Sequence, residues 1–277
     1  MNARRLIVAM PKGGSGKTAT AVAFAWGLQR AGKRVLLIDL DPQGNATGAM
    51  GASAGRYSAL EFLLRIGERF DPICITAGLD LVPASPWRAG VDIEIQKANQ
   101  VTGPIAVREA IERVEAFYDY VICDCPPSLG PLTYNALAAG PILAPVEMTR
   151  LAVSVVPELD QVVATLRRGV APDARVLAYL PTREVAEQME SREALLALRA
   201  IEGDRVLTTR IPQATAIARS LAEATSPFVD RFRRSKGPAA YLAAIHEVTT
   251  LMEAQHGQRN EAIDRGDAHG EGGRRGR

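Results

Sequence analysis

A glycine-rich segment near the start of the chain has the residue types of a phosphate-binding loop. Residues 11–18 read Pro-Lys-Gly-Gly-Ser-Gly-Lys-Thr and follow the apolar run Leu6–Met10. Glycines allow backbone N–H groups to approach phosphate oxygens, and the positive end of a helix that starts there favours the same anions. In this pattern Lys17 reaches the β- and γ-phosphate oxygens, and the Thr18 hydroxyl is a ligand of Mg²⁺. The segment predicts a nucleotide site, and hydrolysis of ATP is the expected reaction.

Carboxylates follow two other apolar runs that are typical of buried strands. The run Val35–Asp39 ends in an aspartate and is followed by Asp41, and the run Tyr120–Cys123 leads directly into Asp124. In a parallel sheet, ligands bind at the carboxyl ends of the strands. We therefore expect the phosphate loop and Asp124 to lie at the same edge of one sheet.

Short apolar runs alternate with segments of helical period along most of the chain. Such alternation predicts an α/β fold, with a mostly parallel, twisted sheet and helices on both of its faces. The predicted strands are Leu6–Met10, Val35–Asp39, Leu79–Val82, Tyr120–Cys123, Ile142–Val146, Arg175–Leu180 and Val206–Ile211. The predicted helices are Thr18–Arg30, Pro104–Phe117, Leu151–Arg168, Ser191–Ile201 and a last helix that starts at Gly237 and Pro238.

The bulk composition is that of an ordinary globular chain. The 277 residues carry a formal net charge of +2, so any affinity for nucleic acid must come from a local patch. No stretch approaches the roughly 20 apolar residues of a membrane helix, and the three cysteines lack C-x-x-C spacing. From residue 257 onward, glycines alternate with charges and apolar periodicity ends. We expect a P-loop ATPase domain over 1–256 and a disordered Gly/Arg-rich tail over 257–277, in a cytoplasmic protein.

Taken together, these segments resemble the ParA/MinD family of ATPases, whose phosphate loop is a deviant Walker A motif. Pro11 replaces the usual leading glycine and is followed by a second lysine, Lys12. The resemblance is greatest to Soj-like ParA partition ATPases without an N-terminal helix-turn-helix domain. The matching segments are KGGSGKT at 12–18, DLDPQGNAT at 39–47, DYVICDCPPSLG at 119–130, Ile211-Pro212, and SKGPAAY at 235–241.

The resemblance implies a role for each charged residue of these segments. Lys12 corresponds to the signature lysine that reaches across a homodimer to the partner's nucleotide, where a cation stabilises charge developing on the phosphates. Asp41 corresponds to the acidic residue that helps to position the attacking water. With Lys12 and Lys17 it makes up the expected catalytic set. Asp124 corresponds to the carboxylate that holds Mg²⁺ through its water shell, beside Thr18. The expected nucleotide contacts are Lys12, Gly13, Gly14, Ser15, Gly16, Lys17, Thr18, Ala19 and, at the adenine, Pro212.

Three further positions qualify the resemblance. Asp39 is expected to support the site rather than to bind the metal. Ala19 stands where many relatives carry a threonine or serine that hydrogen-bonds the α-phosphate, although its backbone N–H remains. Gln213 stands where partition ATPases often place an arginine after Ile-Pro, which removes one candidate DNA contact.

A basic cluster late in the chain has two readings. It is either a solvated face or a surface that binds DNA without sequence specificity, through phosphate contacts that weaken strongly with salt. No helix-turn-helix precedes the phosphate loop, so recognition of a specific operator is not expected. The cluster consists of Arg219, Arg231, Arg233, Arg234 and Lys236.

The resulting hypothesis is a ParA-like ATPase that partitions or positions a cargo such as a plasmid, a chromosome or a large protein assembly. ATP binding would form a sandwich dimer on non-specific DNA, and a ParB-like partner would stimulate an otherwise weak hydrolysis. The protein is then expected on the nucleoid, without stable membrane association. The alternative is a MinD-like membrane-cycling regulator, which would need an amphipathic C-terminal helix. A tyrosine kinase would need a tyrosine-rich tail, and an iron–sulfur carrier would need other cysteine positions.

Overall fold

The computed structural model describes residues 3–53, 55, 57–64, 69–85, 104–229 and 235–267, with side chains as far as residue 254 in the last helix. The strands are β1 (Arg4–Val8), β2 (Val35–Asp39), β3 (Ile73–Thr76), β4 (Leu79–Val82), β5 (Tyr120–Asp124), β6 (Ile142–Glu147) and β7 (Val176–Thr182). They form a seven-stranded sheet in the order β3-β4-β2-β5-β1-β6-β7. Neighbouring strands are parallel except for β3 and β4. The predicted mostly parallel sheet is confirmed.

The ends of three central strands form a row. β2 and β5 are buried along their whole length, as expected of apolar runs in a sheet that is covered on both faces. The parallel register pairs Asp124 with Asp39 on one side and with Val8 on the other. Since the three strands point the same way, the segments that follow them emerge at one edge. The phosphate loop after β1 therefore lies beside Asp124, and Asp39 lies one strand further along the same edge.

Helices cover both faces of the sheet, as predicted. Phe24 and Val248 belong to the core on one face, and Val107 and Leu159 belong to the core on the other. The helices are α1 (Lys17–Arg30), α2 (Asn45–Ala49), α3 (Ala59–Leu64), α4 (Ala106–Glu112), α5 (Pro131–Leu137), α6 (Arg150–Val153), α7 (Val156–Arg168), α8 (Met189–Glu202), α9 (Thr215–Ala222) and α10 (Lys236–Asp267), with 3₁₀ turns at Glu115–Phe117 and Gly203–Arg205.

The helix that follows the phosphate loop is held closely against α10. A Cβ atom at Gly27 of α1 would lie 2.3 Å from Cδ1 of Ile245 and 3.3 Å from Cε2 of Phe228. A larger side chain at Gly27 would therefore displace the Ile245 side chain of α10. The close contact ties the position of α1, and so of the loop before it, to the rest of the fold.

Residues 206–211, predicted as a strand, do not form one. The backbone N–H groups of Thr208 and Thr209 donate to the carboxylate of Glu247 at 2.8 and 3.0 Å. The segment keeps an isolated bridge to β7 at Val206, and the N–H groups of Leu207 and Ile211 donate to β7 carbonyls at 2.9 and 2.8 Å. The prediction was wrong because Glu247 of α10 accepts the N–H groups in the middle of the segment and interrupts its pairing with β7, which the apolar pattern does not reveal.

The helix predicted over Leu151–Arg168 is divided into α6 and α7. Pro157 lies in the first turn of α7, where the missing N–H costs no helical hydrogen bond. The helix predicted over Pro104–Phe117 is α-helical only as far as Glu112 and ends in a 3₁₀ turn. Both segments are helical as predicted, but their boundaries differ.

The last helix continues to Asp267, beyond residue 257 where the sequence analysis placed the start of the tail. The extension, Gly-Gln-Arg-Asn-Glu-Ala-Ile-Asp-Arg-Gly-Asp, contains several good helix formers between its glycines. The division into a 1–256 domain and a disordered 257–277 tail stays a prediction, and residues 268–277 lie outside the described residues. Across the described residues, no helix has both the length and the apolar character needed to cross a membrane.

Candidate nucleotide site

The phosphate loop enters α1 through two glycines with positive φ. Gly14 has a φ of 79°, and Gly16, which directly precedes the helix, has a φ of 90°. Other residues are strained in this region. Within the described residues no side chain caps the N-terminus of α1, and its first turn holds no acidic residue. A Cβ atom at Gly13 or Gly14 would meet no atom within 4 Å. The loop thus borders open space at an uncapped helix end, an arrangement suited to phosphate groups.

Lys17, the first residue of α1, is folded back over the loop. Its Nζ donates a hydrogen bond to the backbone carbonyl of Lys12 at 2.8 Å, and the side chain is buried. Burial lowers the pKa of Lys17, and the negative charges of Asp124 and Asp41 oppose this shift. The loop therefore holds a cation close to two carboxylates, where it can also meet phosphate oxygens.

Asp124 is fully buried at the end of β5, yet neither carboxylate oxygen has a hydrogen-bond partner in the part of the chain that the structure describes. Burial raises the pKa of Asp124 well above its usual range, and the charge of Asp39 raises it further. The nearby Thr18 hydroxyl and the Lys17 ammonium act in the opposite direction. A buried carboxylate without donors is costly unless a cation compensates for it. Asp124 and Thr18 therefore fit a Mg²⁺ site, which takes oxygen ligands.

Asp39 and Asp41 are also buried, but their oxygens have partners. Asp39 Oδ2 accepts hydrogen bonds from the backbone N–H and the hydroxyl of Thr47 at 2.7 and 2.8 Å, and Oδ1 accepts one from Asp41 N–H at 3.1 Å. Burial raises the pKa of Asp39 to about 6, although the contacts with Thr47 oppose the shift. Asp41 Oδ1 accepts a hydrogen bond from the Gln43 N–H at 3.0 Å. Asp39 has the contacts of a supporting residue, whereas the hydrogen bond found for the Asp41 carboxylate within the described residues involves Oδ1.

Lys12 contacts residues of its own chain outside the loop. Its Nζ lies 3.4 Å from Glu147 Oε2 and 3.3 Å from Thr149 Oγ1. The other carboxylate oxygen of Glu147 pairs with Arg183 Nε at 3.3 Å. Sequence reasoning missed these three residues. The sequence does contain a pattern that could have indicated Glu147, because this residue follows the apolar run 142–146 just as Asp124 follows an apolar run.

The remaining predicted nucleotide contacts lie in two parts of the chain. Ala19 is partly buried in the first turn of α1, and Ser15 is fully buried. Pro212 forms an isolated bridge with Glu184, two residues beyond the end of β7. The contact of Pro212 with an adenine stays a prediction.

Two members of the basic cluster lie on helices that pack together. Arg219 is exposed on α9, where it pairs with Glu223 at 3.5 Å, and Lys236 is exposed at the start of α10. The two helices approach closely, since a Cβ at Gly237 would lie 3.0 Å from Cγ1 of Ile217. The other three members, Arg231, Arg233 and Arg234, lie outside the described residues.

The chain matches the AAA_31 family, described as an AAA domain, over residues 3–175. It is 38% identical over 243 residues to the chromosome-partitioning ATPase Soj of Thermus thermophilus, covering 83% of this chain and 93% of that protein. It is 32% identical to the chromosome partitioning protein ParA of Myxococcus xanthus, covering 88% of this chain and 87% of that protein. A similar solved structure is that of a Mycobacterium smegmatis protein described as cobyrinic acid a,c-diamide synthase, with bound ATP analogue and magnesium. It superposes with a TM-score of 0.75 at 30% sequence identity and covers 91% of this chain and 97% of that chain.

The family match begins before β1 and ends just before β7, so it includes the phosphate loop and Asp124. The Soj and ParA relatives extend the similarity over most of the remaining chain. The chain therefore belongs to the AAA_31 family, among the ParA/MinD-type P-loop ATPases.

Proposed function

We propose that the protein is a ParA-like ATPase whose ATP-bound form is a dimer that partitions or positions a cargo. The observation that carries the proposal is that the two lysines of the loop have different partners. Lys17 contacts its own loop, whereas Lys12 contacts Glu147 and Thr149 outside it. The Lys12 ammonium group takes no part in the hydrogen bond that Lys17 makes within the loop, so this group is available to a second copy of the chain. The relatives described as chromosome-partitioning proteins support this function.

ATP with Mg²⁺ is the substrate that fits the site, and one similar structure contains an ATP analogue and magnesium. The loop glycines and the uncapped end of α1 bind the phosphates, and Lys17 neutralises part of their charge. Thr18 would bind the metal directly and Asp124 through its water shell, and the metal would supply further positive charge there. Asp41 orients the attacking water with the carboxylate oxygen that does not accept the Gln43 N–H.

Formation of the dimer requires Lys12 to leave Glu147. The two side chains are about one-fifth exposed and their charged atoms are 3.4 Å apart. This separation is longer than the about 2.7–2.9 Å of a strong charge-assisted hydrogen bond, and Arg183 Nε stays paired with the other Glu147 oxygen at 3.3 Å. The intrachain contact is therefore easily exchanged for the phosphates of a partner's nucleotide, where a cation arriving in trans lowers the barrier to hydrolysis.

DNA and an activating protein are the proposed partners. Arg219 and Lys236, on two adjacent helices, would contact DNA phosphates together with the three arginines at 231, 233 and 234, without reading sequence. A ParB-like protein would stimulate hydrolysis, which is weak without it, and would release the dimer from DNA. The protein would then act in the cytoplasm on the nucleoid.

The variant Lys12→Ala tests the proposal, with Lys33→Ala as the matched control at an exposed lysine outside the site. Binding of ATP, dimerisation measured by light scattering with ATP, and turnover measured with plasmid DNA are compared with the wild type. Lys12→Ala should keep ATP binding but lose ATP-dependent dimerisation and stimulated turnover, whereas Lys33→Ala should keep all three. Normal dimerisation and turnover of Lys12→Ala would refute the proposed mechanism.

The membrane-cycling alternative receives no support from the last helix. The extension of α10 beyond residue 256 is mostly polar in sequence, with Ala262 and Ile263 as its apolar residues. An interfacial helix needs a continuous apolar face. We expect no ATP-dependent co-sedimentation with anionic liposomes, and a positive result would favour membrane cycling.

A further inference from the structure

Thr182 is the last residue of β7, and its backbone is held in the sheet. Its carbonyl oxygen accepts a hydrogen bond from the Met148 N–H at 3.0 Å, and it lies opposite Glu147 of β6 in the parallel register. The residue is 1% exposed. Its side chain therefore starts from a position that the sheet determines.

The hydroxyl of Thr182 connects this strand end to the phosphate loop. It donates a hydrogen bond of 2.7 Å to the backbone carbonyl of Ser15, which is buried. Thr182 also packs beside the next residue, since a Cβ at Gly16 would lie 3.7 Å from Thr182 Cβ and Oγ1. The Ser15 hydroxyl itself has no partner within the described residues, so it does not provide a substitute anchor.

The anchored carbonyl belongs to the peptide unit between Ser15 and Gly16. A peptide unit is planar and trans, so its C=O and N–H groups point in opposite directions. When Thr182 holds the Ser15 carbonyl, the Gly16 N–H must point away from β7. Gly14 and Gly16, with φ of 79° and 90°, flank Ser15 and would otherwise leave this unit free to rotate. A rotated unit would present a carbonyl oxygen where an N–H is needed to bind phosphate.

From this geometry we infer that Thr182 is a positioning residue for the nucleotide phosphates, acting through the Ser15–Gly16 peptide. The inference rests on the proposed function, because it requires that the loop binds ATP. The role belongs to the hydroxyl, since a valine would fill the same space without donating a hydrogen bond. No part of the segment that contains Thr182 was expected from the sequence to contact the loop.

The test compares Thr182→Val, which removes the hydroxyl, with Thr182→Ser, which keeps it. Tyr179→Phe is the control, because it removes another buried hydroxyl from the same strand, one that donates to Asp160 at 2.8 Å. Affinity is measured by titration with N-methylanthraniloyl-ATP and Mg²⁺, and thermal stability is measured without nucleotide. A variant that only weakens the fold should lower stability without changing the affinity of the folded protein.

Thr182→Val should bind the nucleotide about tenfold more weakly, as expected for loss of one buried hydrogen bond. Thr182→Ser should restore most of the affinity, and Tyr179→Phe should bind like the wild type even if it is less stable. Wild-type affinity in Thr182→Val, or equal losses in Thr182→Val and Tyr179→Phe, would overturn the inference alone. Failure of the wild-type protein to bind the nucleotide would overturn the proposed function, and the inference with it.

Discussion

Asp39 and Asp124 occupy equivalent positions at the ends of neighbouring strands, but only one has its charge satisfied. They are paired in the parallel register, and both are fully buried. Asp39 accepts three hydrogen bonds from Asp41 and Thr47. Asp124 accepts none within the described residues. One is a structural carboxylate, and the other has the vacant oxygens that a metal site requires.

The difference originates in the segments that follow the two strands. After β2 the chain turns at Gly44 into α2, which brings the Thr47 N–H and hydroxyl back to Asp39. After β5 the next residue uses its N–H in the sheet, since Cys125 donates to the Val8 carbonyl at 3.1 Å. Residues 126 and 127 are prolines, which have no N–H to donate. A carboxylate at this strand end is therefore left without backbone donors.

The substitution Asp124→Asn should have the largest effect and should affect function more than folding. If Asp124 holds Mg²⁺ through its water shell, ATP turnover should fall about 10- to 100-fold. Removal of a fully buried carboxylate whose charged form is disfavoured by burial should make the protein without nucleotide more resistant to heat. Turnover and melting temperature are measured on the same preparation. Wild-type turnover, or a marked fall in melting temperature, would contradict the assignment.

Asp39→Asn, in contrast to Asp124→Asn, should lower the stability of the fold. An amide cannot accept all three hydrogen bonds, so the free energy of unfolding should fall by about 1–3 kcal/mol. Unfolding in urea without nucleotide measures the loss. If Asp39→Asn is as stable as the wild type and Asp124→Asn is the less stable variant, the two roles are exchanged.

The pH dependence of stability should reveal the buried charge of Asp39. Its pKa is raised from 3.8 to about 6 in the folded protein, mainly by burial. Folding therefore favours the protonated form. The stability contributed by this residue is fully present below pH 3.8 and is lost as the pH rises through about 6. The melting temperature of the wild type relative to Asp39→Asn should thus be higher at pH 5 than at pH 7. An unchanged difference would show that Asp39 does not titrate in this range.

Thr47→Ser should have the smallest effect. Serine keeps the hydroxyl that donates to Asp39 and accepts from the Ala84 N–H at 2.9 Å. The loss of one buried methyl group should lower the free energy of unfolding by about 0.8 kcal/mol. Thr47→Val, which loses both hydrogen bonds, is the matched comparison and should be less stable. Equal stability of the two variants would mean that the hydroxyl does not support Asp39.

The segments with strong local signals were predicted well. β2 has the predicted bounds, and α1 begins one residue before its predicted start, directly after the glycine loop. The contacts between distant segments were not predicted. Glu147 lies 135 residues from Lys12 in the chain. Residues 206–211 have the apolar pattern of a strand, but Glu247 accepts the N–H groups of Thr208 and Thr209 and interrupts the pairing. Apolar periodicity reports which face of an element is buried, but not which side chain occupies its hydrogen-bonding groups.

Local sequence was sufficient to identify the phosphate loop, its two lysines and the strand-end aspartates, because glycine conformation and apolar runs act over a few residues. The assembled sheet was needed to show that, among the described residues, Asp124 has no hydrogen-bond donor while Asp39 has three. It was also needed to show that Lys12 and Lys17 contact different partners. It was needed equally for the hydrogen bond from Thr182 to Ser15, which joins residues 167 positions apart. These properties depend on which distant groups come within hydrogen-bonding distance, and only the packing of the whole chain sets those distances.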